Sequence, residues 1–204
     1  VPVEYGGIGL GNLDSILVLE ELNYGCAGMA TTVAANGLGA TPLLIAGTEE
    51  QKREYLGRLT AKCSYSAYAI TEPGSGSDAA SLSTTYREDG DGYVLNGTKH
   101  FITNGTVADW IIVFATRDKS MRHKGISCFV VEGDAEGLTR TKMKGKMGQR
   151  SSDTAELVLD NVHVPKSALV GQEGTGFKIA METFDRSRPQ IGAIGCGISA
   201  RALD

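Results

Sequence analysis

The sequence predicts an α+β protein in three parts. Residues 1–63 read as a helical segment, residues 64–170 as a central antiparallel β-barrel or sandwich, and residues 171–204 as a closing helix. Apolar residues follow helical spacing up to Cys63. Short alternating runs separated by turn residues then follow as far as Val164. Helical spacing returns near the C-terminal end. With 204 residues, 41% hydrophobic and 22% charged, the chain is long and apolar enough to bury a real core.

The first helix takes its inner face from Leu13, Ile16, Leu17 and the stretch Leu19 to Leu22, with Asn12 or Asp14 as a cap. Ala27 to Ala46 is rich in Ala and Gly, which predicts a closely packed buried helix broken near Thr41-Pro42. Thr48 and Gln51 form a capping-box pattern ahead of a helix whose inner face is Tyr55, Leu56 and Leu59. Seven strands follow: Ser64–Ile70, Leu82–Glu88, Tyr93–Asn96, Lys99–Thr103, Trp110–Thr116, Ile126–Glu132 and Ala155–Val164. In the last segment Phe177, Met181, Phe184, Arg188, Ile191, Ile194 and Ile198 recur every three or four residues. Pro189 is expected to kink or restart that helix. Gly192, Gly195 and Gly197 call for a close neighbouring helix, and no such helix follows, so the stripe is expected to be half of an interface.

A net charge of −4 argues against nucleic acid as the main partner. The one basic stretch, Arg140 to Arg150, alternates lysines with Met and Gly as a strand with one wet face would; an anion contact is the alternative. Cys26, Cys63, Cys128 and Cys196 lie far apart without a neighbouring His at ligand spacing, so no metal site is predicted. They are expected to be small buried thiols in a reducing compartment. Asn96-Gly97-Thr98 and Asn104-Gly105-Thr106 match both a glycosylation pattern and tight strand turns; the free thiols favour turns. No apolar run reaches membrane-spanning length, and no integral membrane contact is expected. Val1 is not a natural start and Asp204 falls inside a helical pattern, so the chain is expected to be an internal piece.

The most informative segment is the loop Thr71 to Asp78, TEPGSGSD, at the end of an alternating strand. Its glycines and serines let the backbone curl and leave N–H groups free for a flat or anionic ligand. Taken alone it also reads as a surface turn.

In order along the chain, EYGGIGLGNLDSILVLEEL, GTEEQKREYL, YAITEPGSGSD, LNGTKHFITNG, MGQRSSDTAELVLDNVHVP and GFKIAMETFDRSRP resemble the segments of acyl-CoA dehydrogenases. The Tyr24–Cys26, Met147–Arg150 and Phe184–Pro189 segments look most like the medium-chain type. The resemblance implies an FAD enzyme that oxidises the Cα–Cβ bond of an acyl-CoA to a trans-2-enoyl-CoA in fatty-acid β-oxidation. A carboxylate takes the α-proton, and electrons pass from the flavin to an electron-transferring flavoprotein. It further implies that residues 1–63 are the rear of an N-terminal helical domain, 64–170 the central β domain and 171–204 the first helix of a C-terminal helical domain. The full-length protein is then implied to be a homotetramer in the mitochondrial matrix or, in bacteria, the cytoplasm. A non-catalytic flavin- or acyl-CoA-binding module and an acyl-CoA oxidase are the alternatives.

Carried over by resemblance, Tyr68, Ile70, Thr71, Gly76 and Ser77 are cofactor-binding, as are Phe101, Ile102 and Thr103. Ser77, Asp185, Arg186, Ser187 and Arg188 are substrate-binding. Phe101 stands where the medium-chain pattern usually has Trp, keeping the apolar plate and losing an indole donor. Without the family, Phe101 reads as core, Thr71 and Thr103 as strand hydroxyls, and Asp185 with Arg188 as a helix-face pair. No catalytic base is assigned. Serine 187 cannot accept an α-proton, and Glu72 and Glu182 qualify by residue type only, so the piece itself is expected to be inactive. His100, His123 and His163 read as incidental.

Overall fold

A computed structural model describes all of residues 1–204. Helix α1 runs Asn12–Ala46 from the N-cap Gly11, whose N–H donates to Asp14 Oδ2 at 2.9 Å. Its break is at Cys26 (φ −160°, ψ 107°) and not near Thr41-Pro42. Pro42 sits one turn from the end, and its missing donor costs only the single hydrogen bond to the Leu38 carbonyl. The helix is only partly covered: Leu13 and Leu17, expected on an inner face, are exposed with Val18, and so are Met29 and Val33 within the stretch 27–46, expected to be buried. By length and composition α1 also reaches what a membrane span requires, which the sequence reading did not find. Of the cysteines, Cys128 alone is buried; Cys26, Cys63 and Cys196 are exposed.

The capping box forms as expected: Gln51 N donates to Thr48 Oγ1 at 3.2 Å and Thr48 N to Gln51 Oε1 at 3.0 Å. It opens a helical run made of α2 (Glu49–Gln51), a π-helical turn (Lys52–Leu56) and α3 (Gly57–Ala61). Leu56 is fully buried, with Tyr55 and Leu59 packed against the same core.

Eight strands follow: β1 (Ser66–Ala69), β2 (Thr85–Asp89), β3 (Gly92–Thr103), β4 (Trp110–Thr116), β5 (Ile126–Glu132), β6 (Leu138–Lys142), β7 (Thr154–Pro165) and β8 (Leu169–Val170). They form one sheet in the order β6-β7-β3-β2-β4-β5-β8, with β1 added to β4. Most pairings are antiparallel, but β1 runs parallel to β4, and β2 meets β4 in parallel at Thr85 and Thr116, so the sheet is mixed. The expected strands Tyr93–Asn96 and Lys99–Thr103 are one strand. Gly97 forms a bulge in β3, not a hairpin turn; its φ is 152°, and a Cβ there would lie 2.6 Å from Thr84 Cα. Only Arg140 to Lys142 of the basic run is strand. The short β8 and the start of β6 carry too few alternating residues to stand out.

Every residue of β4 is buried because the sheet has a core on each side. Ile111, Val113, Phe129 and Leu157 fill the inside of the curled sheet. Trp110, Ile112 and Phe114 face the helices with Tyr68, Leu43, Leu56 and Ile179. A strand covered on both faces loses the polar alternation of a half-solvated one.

The last helix, α4 (Gly176–Leu203), passes through Pro189 without interruption. Its neighbour lies within the chain, contrary to expectation: α4 packs on α1, where a Cβ on Gly197 would overlap Glu20 O. Ile191 and Ile198 remain exposed, so only part of the stripe is covered. Gly197→Val is therefore expected to cost about 1–3 kcal/mol in chemical unfolding, by forcing α1 and α4 apart. Gly195→Ala, at a position with open space, is expected to leave stability unchanged or to raise it.

Candidate functional site

A cavity of about 550 Å³ lies between the helix-facing side of the sheet and the two long helices. The end of β1 brings Tyr68, Ile70 and Thr71 to its wall, and the end of β3 brings Phe101, Ile102 and Thr103. Ser187 and Arg188 line it from α4. Gly76, Ser77, Asp185 and Arg186 are not part of this wall; Gly76 and Ser77 are exposed at the loop tip.

The loop is built around Glu72. Its backbone pairs with Ser75 in both directions, at 2.9 and 3.1 Å, and Ser75 Oγ donates to Asp78 O at 2.8 Å. The Glu72 side chain turns inward, accepting from Ser83 N at 2.5 Å, Thr84 N at 2.9 Å and the fully buried Lys99 Nζ at 2.8 Å. Burial opposes ionisation of Glu72, but the Lys99 ammonium and these donors outweigh it and hold the carboxyl below its ordinary value. Burial pushes Lys99 down to about 8, against the pull of Glu72. This pair was not found in the sequence, where Lys99 looked like one more strand residue and Glu72 a loose candidate base.

At the cavity wall the backbone is asymmetric. The carbonyl of Ile70 accepts from Lys99 Nζ at 3.3 Å and that of Thr71 from His100 N at 2.8 Å. The N–H groups of Ile70 and Thr71 have no partner within the chain. Two free consecutive donors and two threonine hydroxyls suit the polar edge of a flat ring.

Phe101 stands beside them at φ 58°, a strained value for a bulky residue, where the β3–β7 register slips. It is 63% exposed, with its ring 4.3 Å from that of His100. That places an apolar plate at the cavity mouth and not in the core. Tyr68 lies deeper, its ring 5.1 Å from Phe114 and 5.9 Å from Phe184, with a buried hydroxyl that has no partner. Burial pushes this phenol upward, so it stays protonated.

On α4, Arg188 Nη1 donates to Asp185 Oδ1 at 2.6 Å across one turn. Both side chains are about two-thirds exposed, at 67% and 69%, so the pair itself adds little stability. Gln149 reaches the cavity unforeseen: with φ 48° it sits next to α1, where Thr31 Oγ1 donates to its Oε1 at 3.1 Å. Reading the basic run as a strand hid this turn. Leu19, Ala34 and Ile194 give the helical side of the cavity an apolar lining. No carboxylate is among the lining residues.

Two family models match the chain: the acyl-CoA dehydrogenase N-terminal domain over residues 1–62 and the acyl-CoA dehydrogenase middle domain over residues 67–162. The chain belongs to the acyl-CoA dehydrogenase family. Within that family it is similar to a probable medium-chain specific acyl-CoA dehydrogenase 2, mitochondrial, of Caenorhabditis briggsae, with 42% identity over the whole chain and 51% of the relative. It is equally similar to the mitochondrial short-chain specific enzyme of Homo sapiens, at 42% identity over 50% of that protein. The structure of an acyl-CoA dehydrogenase complexed with FAD from Bacillus anthracis superimposes with a TM-score of 0.92 at 42% identity, over all of this chain and 35% of that one. The chain thus spans about half the length of the curated relatives it matches.

Proposed function

We propose that this chain supplies the flavin platform of an FAD-dependent acyl-CoA dehydrogenase that converts an acyl-CoA, of medium chain length, to its trans-2-enoyl-CoA. The observation that carries the reading is that Ile70 and Thr71, whose N–H groups have no partner within the chain, line one cavity wall together with Thr103. That donor set fits the polar edge of an isoalloxazine, and Phe101 supplies an aromatic plate beside it. Bound there, FAD supplies a two-electron acceptor for oxidation of the Cα–Cβ bond.

The residues of the chain bind and orient. Tyr68 and Ile102 keep the wall apolar, while the Ile70 and Thr71 donors and the two threonine hydroxyls would hold the polar edge of the ring. Gly76 and Ser77, on the exposed tip, are proposed to meet the pyrophosphate and the CoA, and their N–H groups are free to do so. On α4, Arg188 is proposed to hold a polar part of the CoA with Asp185 orienting it, and Arg186 and Ser187 complete that turn. Glu72 is locked to Lys99 and cannot act as base, so the carboxylate that removes the α-proton comes from outside this chain. The electrons pass to an electron-transferring flavoprotein, and the full-length enzyme is a homotetramer of the mitochondrial matrix or the bacterial cytoplasm.

Adding octanoyl-CoA anaerobically to the full-length holoprotein is expected to bleach the flavin band, with slow recovery in air. A larger response to butyryl-CoA would move the chain-length reading to the short type. Rapid peroxide formation would favour an oxidase, and a full-length protein without bound flavin would sink the reading. Thr103→Ala is expected to lower kcat/KM about fivefold to tenfold, the equivalent of one hydrogen bond near 1 kcal/mol. Its unfolding midpoint is expected to stay at the wild-type value; a parallel loss of both would return Thr103 to a structural role.

A further inference from the structure

We propose that Lys99 is a positioning residue for the cofactor, acting through the Ile70–Thr71 peptide to strengthen the Thr71 N–H as a donor. The inference rests on the flavin reading above and extends it to a residue with no place on the cavity wall.

The geometry is that of a relay. All peptide bonds in the chain are trans, so the Ile70 carbonyl and the Thr71 N–H leave one rigid unit in opposite directions. Lys99 Nζ holds the carbonyl end at 3.3 Å from the buried side, and the N–H end is free. A charged donor on a carbonyl withdraws electron density along the amide and makes the N–H at its far end more acidic, the cooperativity of chained hydrogen bonds. The next residue, His100, holds the next carbonyl, Thr71 O, at 2.8 Å through its backbone N–H. Residues 99 and 100 therefore clamp the wall from behind, while 101 to 103 of the same strand line it in front.

Glu72 keeps the ammonium in place. It accepts from Lys99 at 2.8 Å and is itself fixed by Ser83 N and Thr84 N. Lys99 is fully buried and Glu72 nearly so. Such a pair gives little net stability compared with apolar side chains of similar volume. A role toward the ligand accounts for its position directly behind the cavity wall. Reduction adds negative charge to a flavin ring, so a stronger donor at its polar edge favours the reduced form. The pair is thus expected to raise the potential of the bound cofactor as well as its affinity.

The test uses the full-length holoprotein and its apoprotein, with Lys99→Met/Glu72→Gln to neutralise the pair and Lys99→Arg to keep a cation. FAD titration of the apoprotein and the midpoint potential of the bound flavin are measured beside the unfolding midpoint. For the double variant, FAD dissociation is expected to rise about tenfold and the potential to fall by about 30 mV, a tenfold change for a two-electron couple. Lys99→Arg is expected to recover most of both. If the double variant does not fold, Lys99→Gln, which retains a neutral donor, takes its place under the same criteria. Unchanged potential and affinity, or losses that merely track the unfolding midpoint in both variants, would overturn the proposal. Wild-type apoprotein that takes up no FAD overturns the functional reading and this inference together, whereas binding with no variant effect overturns the inference alone.

Discussion

Glu72→Leu is expected to cost about 3–5 kcal/mol of stability, because it strands a buried ammonium and frees two backbone donors. Ser83 N and Thr84 N lose their acceptor at the same moment as Lys99 loses its counter-charge. Adding Lys99→Met to Glu72→Leu is expected to restore much of the loss, since an apolar pair of similar volume carries no desolvation cost. The pH dependence separates the two contributions. Lys99 titrates near 8 in the folded protein and at 10.5 as an ordinary lysine, so in between the unfolded chain holds a proton that the folded one has shed. Stability credited to this lysine therefore rises with pH across that window. Without Glu72 to hold its proton, Lys99 sheds it at still lower pH, so the Glu72→Leu penalty is expected to be larger at pH 6 than at pH 9. On the acid side, Glu72 is held below its ordinary value of 4.5, so its contribution is present above that pH and fades as the pH falls through its lower folded value. Urea unfolding of wild type and both variants at pH 6 and 9 checks this; equal penalties at the two values would mean that the ammonium is not the source.

What the sequence showed and what it hid divide along the reach of the interactions. The capping box at Thr48 and Gln51 closes within three residues, and β4 and β5 are continuous apolar runs, so each was placed within its true bounds. Thr71 and Thr103 were taken from a family resemblance, and both lie on the cavity wall. Gly76 and Ser77 do not: they follow the turn closed by the Glu72–Ser75 pairing, and the Glu72 side chain is held by a lysine 27 residues further on. Asn96-Gly97 has the composition of a hairpin turn, yet Gly97 is required because Thr84 crosses it closely. The spacing of α4 does not reveal its partner, because α1 lies at the other end of the chain. Pro42 and Pro189 both lie inside continuous helix. A proline removes one hydrogen bond, and packing along a whole helix face outweighs that single loss.

Asn104→Val is expected to destabilise the protein by about 3–5 kcal/mol, against about 1–3 kcal/mol for Asn104→Gly. The sequence offered Asn104 as a glycosylation acceptor or a turn residue. The structure excludes attachment there, since the side chain is completely buried. Its Nδ2 donates to Thr32 O on α1 at 3.1 Å and to Ser66 O on β1 at 3.2 Å, pinning the long helix to the sheet one residue from Thr103. Both substitutions strip the donor from these two carbonyls. Only valine also forces a β-branched residue to φ 62°, where glycine is at ease. The difference between the two variants thus isolates backbone strain from lost hydrogen bonds. Because Thr31, Ala34 and Ala35 of α1 form the opposite wall of the cavity, loosening the pin is also expected to weaken FAD binding in both variants. Equal stability losses would show that the left-handed backbone at residue 104 relaxes once its side chain is gone. A folded Asn104→Gly protein with undiminished FAD affinity would show that α1 is held in place by packing alone.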